Sequence, residues 1–407
     1  MHRLFTGFFL VGIAGAILQL LLGDTGAPAR VVGALWEAAD LAVQVSLGLI
    51  GVLALWSGLF RLAEQSRLAD RLAALVQPVL HRLMPSVPEG SQAGAGISMN
   101  MAANMLGLDN AATPLGLKAM SSLQESNPRP RTASDAQIMF LVLNTSAVTL
   151  VPVTVLLYRT QQGAADPADI YLPMLMATTA STFVGVALTA RLQGIRLRDP
   201  ILLAVAGGWL ALLGLLGLAV WWVPPDASAR LSSLLGNGLL LAVIGAFFVA
   251  AWRARVDSYD AFIEGAKEGF NLAVRLIPYL VAMLAAIAML RASGVLEAVL
   301  SAIRHAALWL GWDTRFVDAL PVALLKPLSG SGARAAMLDV MHTQGVDSLA
   351  GRMAAVMQGS TETTFYVLAV YFGSAGVRNF RYALWCGLAA DAAGLITAIL
   401  VSYLFFG

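Results

Sequence analysis

The sequence is poor in charged residues. Aspartate, glutamate, lysine and arginine make up only 12% of the 407 residues, against about 25% in ordinary globular proteins. Hydrophobic residues make up 58%, and the mean hydropathy is +0.75. A soluble fold of this length could not cover its surface with so few charges. These figures exclude a soluble enzyme and indicate an all-α polytopic membrane protein.

Cysteine and histidine are also scarce. The single cysteine, Cys386, excludes an internal disulfide and a thiolate metal cluster. The four histidines are scattered, without the spacing that places two metal ligands on one helical face: His2, His81, His305 and His342. We therefore predict no metal site and no cofactor. The formal net charge of +2 is too small and too dispersed for a nucleic-acid partner.

Nine apolar stretches are long enough to cross a bilayer, which takes about 20 residues. They are residues 4–22, 41–60, 138–158, 170–192, 201–223, 231–252, 272–290, 353–372 and 382–406. The first could instead be a cleaved signal peptide, because it has a basic start and is followed by Ala27-Pro28-Ala29. Its length and the membrane-spanning chain behind it favour a retained transmembrane helix.

Two further apolar stretches are interrupted by polar and glycine residues. The first, residues 97–120, is broken at 107–110, and the second, residues 316–341, is broken at 329–332. Neither has an uninterrupted apolar run that could cross the membrane. We predict that both are re-entrant hairpins, each preceded by an amphipathic helix at the membrane interface.

The two halves of the chain share this order of elements, and short matches connect them. Leu143-Asn144-Thr145-Ser146 in the third span corresponds to Met357-Gln358-Gly359-Ser360 in the eighth. The unpaired span 201–223 between the halves would invert the second copy, although two parallel copies are the alternative. We predict three parts: a first repeat at residues 1–200, a connecting helix at 201–230 and a second repeat at 231–407.

The distribution of lysine and arginine predicts the orientation. With the N-terminus in the cytoplasm, the predicted cytoplasmic segments hold most of the basic residues, as the positive-inside rule requires. We therefore expect a multi-pass protein of the bacterial cytoplasmic (inner) membrane, with its N-terminus inside and its C-terminus outside.

Polar residues inside these segments are the candidate functional groups. A charged side chain at the centre of a membrane helix costs about 2.5–3.5 kcal/mol on insertion scales, and a helix break exposes backbone groups that need partners. The candidate solute-binding residues lie in the two hairpins and the two polar spans: Asn100, Asn104, Asp109, Asn110, Asn144, Thr145, Ser146, Ser329, Ser331, Gln358, Ser360, Thr361, Glu362 and Thr363. Lys326 and Arg334 stand beside the second break. The alternative for the hydroxyl residues is a bond back to their own helix.

These motifs resemble a known family. Residues 100–120, reading NMAANMLGLDNAATPLGLKAM, and 143–152, reading LNTSAVTLVP, closely resemble spore maturation protein A. Residues 326–330, reading KPLSG, and 357–364, reading MQGSTETT, are similar to spore maturation protein B. Both belong to the wider group with a nucleoside recognition, or Gate, domain. The resemblance implies two fused proteins, a transport-type fold with two Gate repeats, and a role connected with spore maturation.

We expect a secondary transporter that moves a small polar solute by alternating access, driven by H⁺ or Na⁺. Glu362 and Asp109 are the candidate ligands of the coupling ion. Because genes of this family tend to accompany a carboxypeptidase that releases D-alanine, the resemblance implies an amino acid such as D-alanine, or a nucleoside. The alternative is a non-transporting scaffold that regulates an enzyme of the cell envelope. We expect no enzymatic activity; a homo-oligomer is compatible with the small-residue runs.

Overall fold

The structure is a computed structural model that describes the backbone of residues 2–107, 109–222 and 225–407. It describes their side chains except at 2–4, 69, 109–111, 219–221, 225 and 226. This part of the chain is helical, and its strand-type pairing consists of an isolated bridge between Thr132 and Asn379. The all-α class is confirmed.

The first repeat begins with α1 (His2–Leu21), α2 (Ala27–Gln65) and the amphipathic α3 (Leu68–Leu83). A hairpin of α4 (Gln92–Met105) and α5 (Asp109–Glu125) follows. A broken helix then consists of α6 (Asp135–Thr145) and α7 (Val153–Gln161), and α8 (Tyr171–Gln193) ends the repeat.

After α9 (Pro200–Trp221), the second repeat has the same order. Its elements are α10 (Pro225–Arg253), α11 (Ser258–Ala292) and the amphipathic α12 (Val295–Trp309), then a hairpin of α13 (Leu320–Leu325) and α14 (Gly330–Gln344). The second broken helix consists of α15 (Leu349–Ser360) and α16 (Thr364–Val367), which continues as a π-helical turn, and α17 (Ala383–Phe406) ends the chain.

Serine caps mark where the short helices begin. Ser91, Ser329 and Ser348 accept hydrogen bonds from the backbone N–H three residues later, at the starts of α4, α14 and α15. Ser134 and Gln137 form a reciprocal capping box at α6. These caps satisfy N–H groups that would otherwise lack partners at four helix ends within the fold.

Equivalent helices of the two repeats pack against each other in opposite directions. A side chain on Gly58 would contact Phe262, whereas one on Gly269 would contact Leu53, so residue numbers rise along α11 as they fall along α2. Ion pairing of Arg61 with Glu264 has the same register. The packing of α8 on α17 is antiparallel too, because Gly185 meets Ala390 and Gly394 meets Ser181. The second repeat is therefore inverted relative to the first.

Six of the predicted spans are single apolar helices long enough to cross a membrane within the described residues: α2, α8, α9, α10, α11 and α17. The predicted first span is the shorter apolar stretch Phe5–Leu21. The other two predicted spans, 138–158 and 353–372, are the broken helices. A total of nine crossings stays a prediction, since three of the nine are short or interrupted.

Both predicted hairpins form, but the second break is displaced. The turn of the first lies between Met105 and Asp109, as expected, and Leu108 lies outside the described residues. In the second, the chain leaves helical structure after Leu325 and α14 already starts at Gly330. The Ser-Gly-Ser-Gly run therefore does not break the helix: Ser329 caps it, and the two glycines lie in its first turn.

Candidate functional site

A cavity of about 500 Å³ lies where the two hairpins and the two broken helices meet. This size is within the range of about 300–1,000 Å³ that is typical of small-molecule sites. Each of the four elements contributes polar residues at its break: Asn104 and Thr113; Asn144 and Thr149; Lys326, Ser329, Ser331 and Arg334; Gln358, Glu362 and Thr363. The cavity is therefore a product of both repeats.

Backbone hydrogen bonds join the four elements around this cavity. The N–H of Glu362 in the second break donates to the carbonyl oxygen of Thr145 in the first, at 2.8 Å. Each break also bonds to the hairpin of its own repeat, from Leu150 N–H to Met105 at 3.0 Å and from Phe365 N–H to Pro327 at 3.1 Å. These three bonds satisfy backbone N–H groups that have no partner within their own interrupted helices. Within a membrane such groups need a partner in the protein.

The first hairpin approaches the first break closely at Gly107. This residue has a φ of +69°, and a Cβ there would overlap the carbonyl oxygen of Val151. Glycine alone fits this position, because other residues would need both a rare backbone conformation and space that is occupied. The tip of α4 can therefore lie directly against the broken backbone.

An amide network forms one wall of the cavity. Asn104 Nδ2 donates to Asn144 Oδ1 at 3.0 Å, and the Tyr371 hydroxyl donates to the same oxygen at 3.2 Å. Behind them, Asn100 is fully buried and donates to the carbonyl oxygen of Ala112 across the hairpin, at 2.7 Å. Asn144 is held in turn by a bond to Phe140. The network therefore connects the first hairpin and the first broken helix to the π-helical turn that follows α16.

Another part of the cavity wall carries charges of both signs. Lys326 is 2% exposed, and its Nζ donates to the carbonyl oxygen of Gln358 at 2.6 Å. Arg334 lies over the ring of Tyr158, 5.5 Å from its centroid. The Glu362 side chain is exposed and lines the same cavity. The α14 N-terminus, at Gly330, adds backbone partial positive charge. This wall can therefore bind an anionic group and a cationic group side by side.

Of the candidate residues predicted from the sequence, seven line the cavity: Asn104, Asn144, Ser329, Ser331, Gln358, Glu362 and Thr363. Five others are buried behind it: Asn100, Thr145, Ser146, Ser360 and Thr361. Among these, the hydroxyls of Thr145, Ser146 and Ser360 bond to carbonyl oxygens of their own helices, the alternative that the sequence left open. The predicted side chains of Asp109 and Asn110 lie outside the described residues.

Four tyrosines of the site were not among the predicted residues. Tyr158, Tyr279, Tyr366 and Tyr371 all line the cavity. A phenolic hydroxyl within an apolar run was the available signal at Tyr371, since such a group needs a partner in a membrane. The last helix, α17, adds one acidic residue near the second break, Asp391. It is 1% exposed and accepts a hydrogen bond from Thr364 at 2.7 Å, so it is a buried carboxylate.

A family model described as nucleoside recognition, Gate, matches residues 46–161 and 273–378, together more than half of the sequence. The chain belongs to the Gate family. Each match runs from within the long second helix of a repeat, α2 or α11, through the hairpin to the end of the broken helix or just beyond it. The four elements around the cavity are therefore the Gate elements themselves.

Two relatives of this Gate protein come from Bacillus subtilis (strain 168). The chain is 42% identical to spore maturation protein B over 153 residues, which is 38% of this chain and 84% of that protein. It is 40% identical to spore maturation protein A over 148 residues, 36% of this chain and 76% of that protein. The predicted resemblance to these families is confirmed, and this Gate protein is a multi-pass membrane protein.

Proposed function

We propose that this Gate protein is a secondary transporter that moves a small zwitterionic solute, of the amino-acid class, by alternating access. The observation that carries the proposal is the cavity between two inverted repeats, lined at each break by polar groups. Inverted repeats with broken helices around a central site are the architecture of many secondary transporters. No enzymatic step is part of the proposal.

The charges of the cavity favour a zwitterion over a neutral solute. Lys326 and Arg334 suit a carboxylate, together with the N–H groups at the start of α14. Glu362 suits an ammonium group, and the Asn104–Asn144 pair offers further amide hydrogen bonds. Two buried side chains have atoms without a partner among the described residues, Gln358 Oε1 and Thr363 Oγ1. Both residues line the cavity, so a bound solute could satisfy them.

Uptake by proteoliposomes tests the proposal. Purified protein is reconstituted, and accumulation of labelled D- and L-alanine, other small amino acids and nucleosides is measured against empty liposomes. We expect saturable uptake of an amino acid that Glu362→Gln and Asn104→Ala each reduce at least about tenfold, the effect of losing roughly 1.4 kcal/mol of binding. Glu264→Gln, which alters an exposed carboxylate on α11, is the matched control and should transport normally.

Three results would contradict the proposal. Saturable uptake of nucleosides alone would refute the zwitterionic class. Uptake unaffected by Glu362→Gln and Asn104→Ala would refute the assignment of the cavity as the solute-binding site. Absence of uptake for the whole panel by folded protein, together with co-purification of a stoichiometric envelope enzyme, would favour the scaffold alternative over transport.

A further inference from the structure

A second polar cluster lies behind the cavity, where α17 packs against the second break. Gly387, Asp391 and Gly394 are spaced to share one face of α17. A Cβ on Gly387 would lie 2.7 Å from Thr364 Cγ2, and one on Gly394 would lie 2.6 Å from Thr361 Cγ2. The two glycines therefore let the broken backbone approach α17 on both sides of the Asp391 side chain.

Asp391 is buried and only half satisfied. Its exposed fraction is 1%, and its Oδ2 accepts a hydrogen bond from Thr364. Its Oδ1, Thr361 Oγ1 and Ser181 Oγ have no partner with full hydrogen-bond geometry among the described residues, and the Thr361 hydroxyl lies near the carboxylate. Both hydroxyl residues are more than nine-tenths buried. Unpartnered buried oxygens cost free energy, so three of them in one region need an explanation.

The residues that carry these oxygens lie close together. The Cβ position of Gly394 is 3.1 Å from Ser181 Cβ and 3.2 Å from the carbonyl oxygen of Ser360, besides its contact with Thr361. Asp391 is one helical turn away on the same face, about 5–6 Å between Cβ positions. The residues that carry one carboxylate, two hydroxyls and one backbone carbonyl thus meet between α8, α17 and the second break.

We propose that Asp391, Thr361, Ser181 and the Ser360 carbonyl bind Na⁺, and that this is the coupling ion of the transport proposed above, on which this inference rests. The proposed ligand atoms are all oxygens, which hard cations prefer. Ser360 ends α15, and the C-terminal ends of half-helices carry partial negative charge that attracts cations. One carboxylate balances one monovalent charge. No group of three acidic, histidine or cysteine residues suited to a divalent metal occurs in the described chain.

A sodium ion accounts for the cluster better than a proton does. Protonation of Asp391 would add a single donor to the cluster, whereas one sodium ion can be coordinated by the carboxylate, both hydroxyls and the carbonyl at once. Two other ionisable groups, Lys326 and Glu362, act on Asp391 electrostatically, with opposite signs. Both also line the solute cavity. Thr361 and Glu362 are consecutive, so an ion held at Thr361 would fix the backbone that positions Glu362 for the solute.

Thermal unfolding of the purified full-length protein tests the site without any solute. Midpoints are compared in NaCl, KCl and choline chloride at constant ionic strength and pH. We expect a saturable upward shift that is specific for Na⁺, because a ligand of the folded state stabilises it. Asp391→Asn should abolish the shift, whereas Asp135→Asn, which removes an exposed carboxylate on α6, should retain it.

Equal midpoints of the wild type in Na⁺ and choline, or an intact sodium shift in Asp391→Asn, would overturn the proposal. If Asp391→Asn does not fold, Thr361→Val and Ser181→Ala decide. Each should raise the sodium concentration needed for half the shift at least about tenfold, and wild-type affinity in both would refute the site. A sodium shift in protein that transports nothing would support this site while contradicting the proposed function.

Discussion

A buried ion-pair network joins the two repeats and makes a graded prediction possible. Arg159, at the end of α7, is fully buried; its Nη2 lies 2.9 Å from Asp169 Oδ1 and 3.1 Å from Asp347 Oδ1. Asp169 also pairs with Arg352 of α15 at 2.7 Å. The side chain of Asp169 is 4% exposed, whereas that of Asp347 is 32% exposed. The two aspartates thus pair with the same arginine in different surroundings.

Asp169→Asn should destabilise the protein far more than Asp347→Asn. Removing one partner from a buried pair typically costs about 3–5 kcal/mol, because the remaining charge stays buried. In this network Asp169 is the acidic partner of both Arg159 and Arg352. A partly exposed pair is worth roughly 0–1 kcal/mol, since solvent screens it. We therefore expect a difference of about 2–5 kcal/mol between the two variants.

The assay is equilibrium unfolding in mixed micelles, followed by tryptophan fluorescence, for the wild type and both variants under one buffer condition. A change in the unfolding midpoint at constant slope reports stability alone. Equal destabilisation by the two substitutions would refute the reasoning. So would a cost of less than about 1 kcal/mol for Asp169→Asn, which would show that water reaches Arg159.

Three further predictions concern packing and access. Gly116→Ala should lower the free energy of unfolding by about 1–3 kcal/mol, because its Cβ would lie 2.6 Å from Tyr371 Cζ. The control Gly207→Ala, in open space on α9, should cause no measurable loss of stability in the same unfolding assay. Gly269→Ala should destabilise similarly, since its Cβ would lie 2.7 Å from the Leu53 carbonyl carbon; no loss would mean that α2 and α11 can separate freely. The sole cysteine, Cys386, is fully buried, so a maleimide should modify folded protein slowly and denatured protein rapidly, and equal rates would contradict the packing of α17.

The sequence alone predicts the order of elements because each one leaves a local signal. Long apolar runs with at most one charged residue mark α8, α9 and α17, and polar interruptions mark the hairpins and broken helices. The second break shows the limit of such signals. Glycines at 330 and 332 indicate a turn, yet the serine cap at Ser329 makes them the first turn of a helix. The cap depends on one hydrogen bond, which Gly332 N–H donates to Ser329 Oγ, and the amino-acid composition does not reveal this bond.

Hydrogen bonds between the two repeats could not be predicted from the sequence, since they depend on how the repeats pack. Thr145 illustrates this. Its hydroxyl bonds to its own helix, as the simpler interpretation allows, while its carbonyl oxygen accepts the N–H of Glu362 from the other repeat. The side chain attracts notice in a sequence, but here the backbone makes the contact between repeats. This contact depends on how α6 and α15 are aligned, and nothing in the sequence of either helix shows that alignment.

The same dependence on packing explains why a carboxylate can be buried at Asp391. Its two flanking glycines are one turn away on either side, and each contacts a threonine of the second break. A larger residue at 387 or 394 would move that backbone away and take the threonine hydroxyls from Asp391, and a buried charge with fewer polar partners is costly. Small residues at these positions and hydroxyls in the break are therefore parts of one arrangement. The cavity lies on one side of the second break and the oxygen cluster on the other, so both depend on the same few backbone hydrogen bonds.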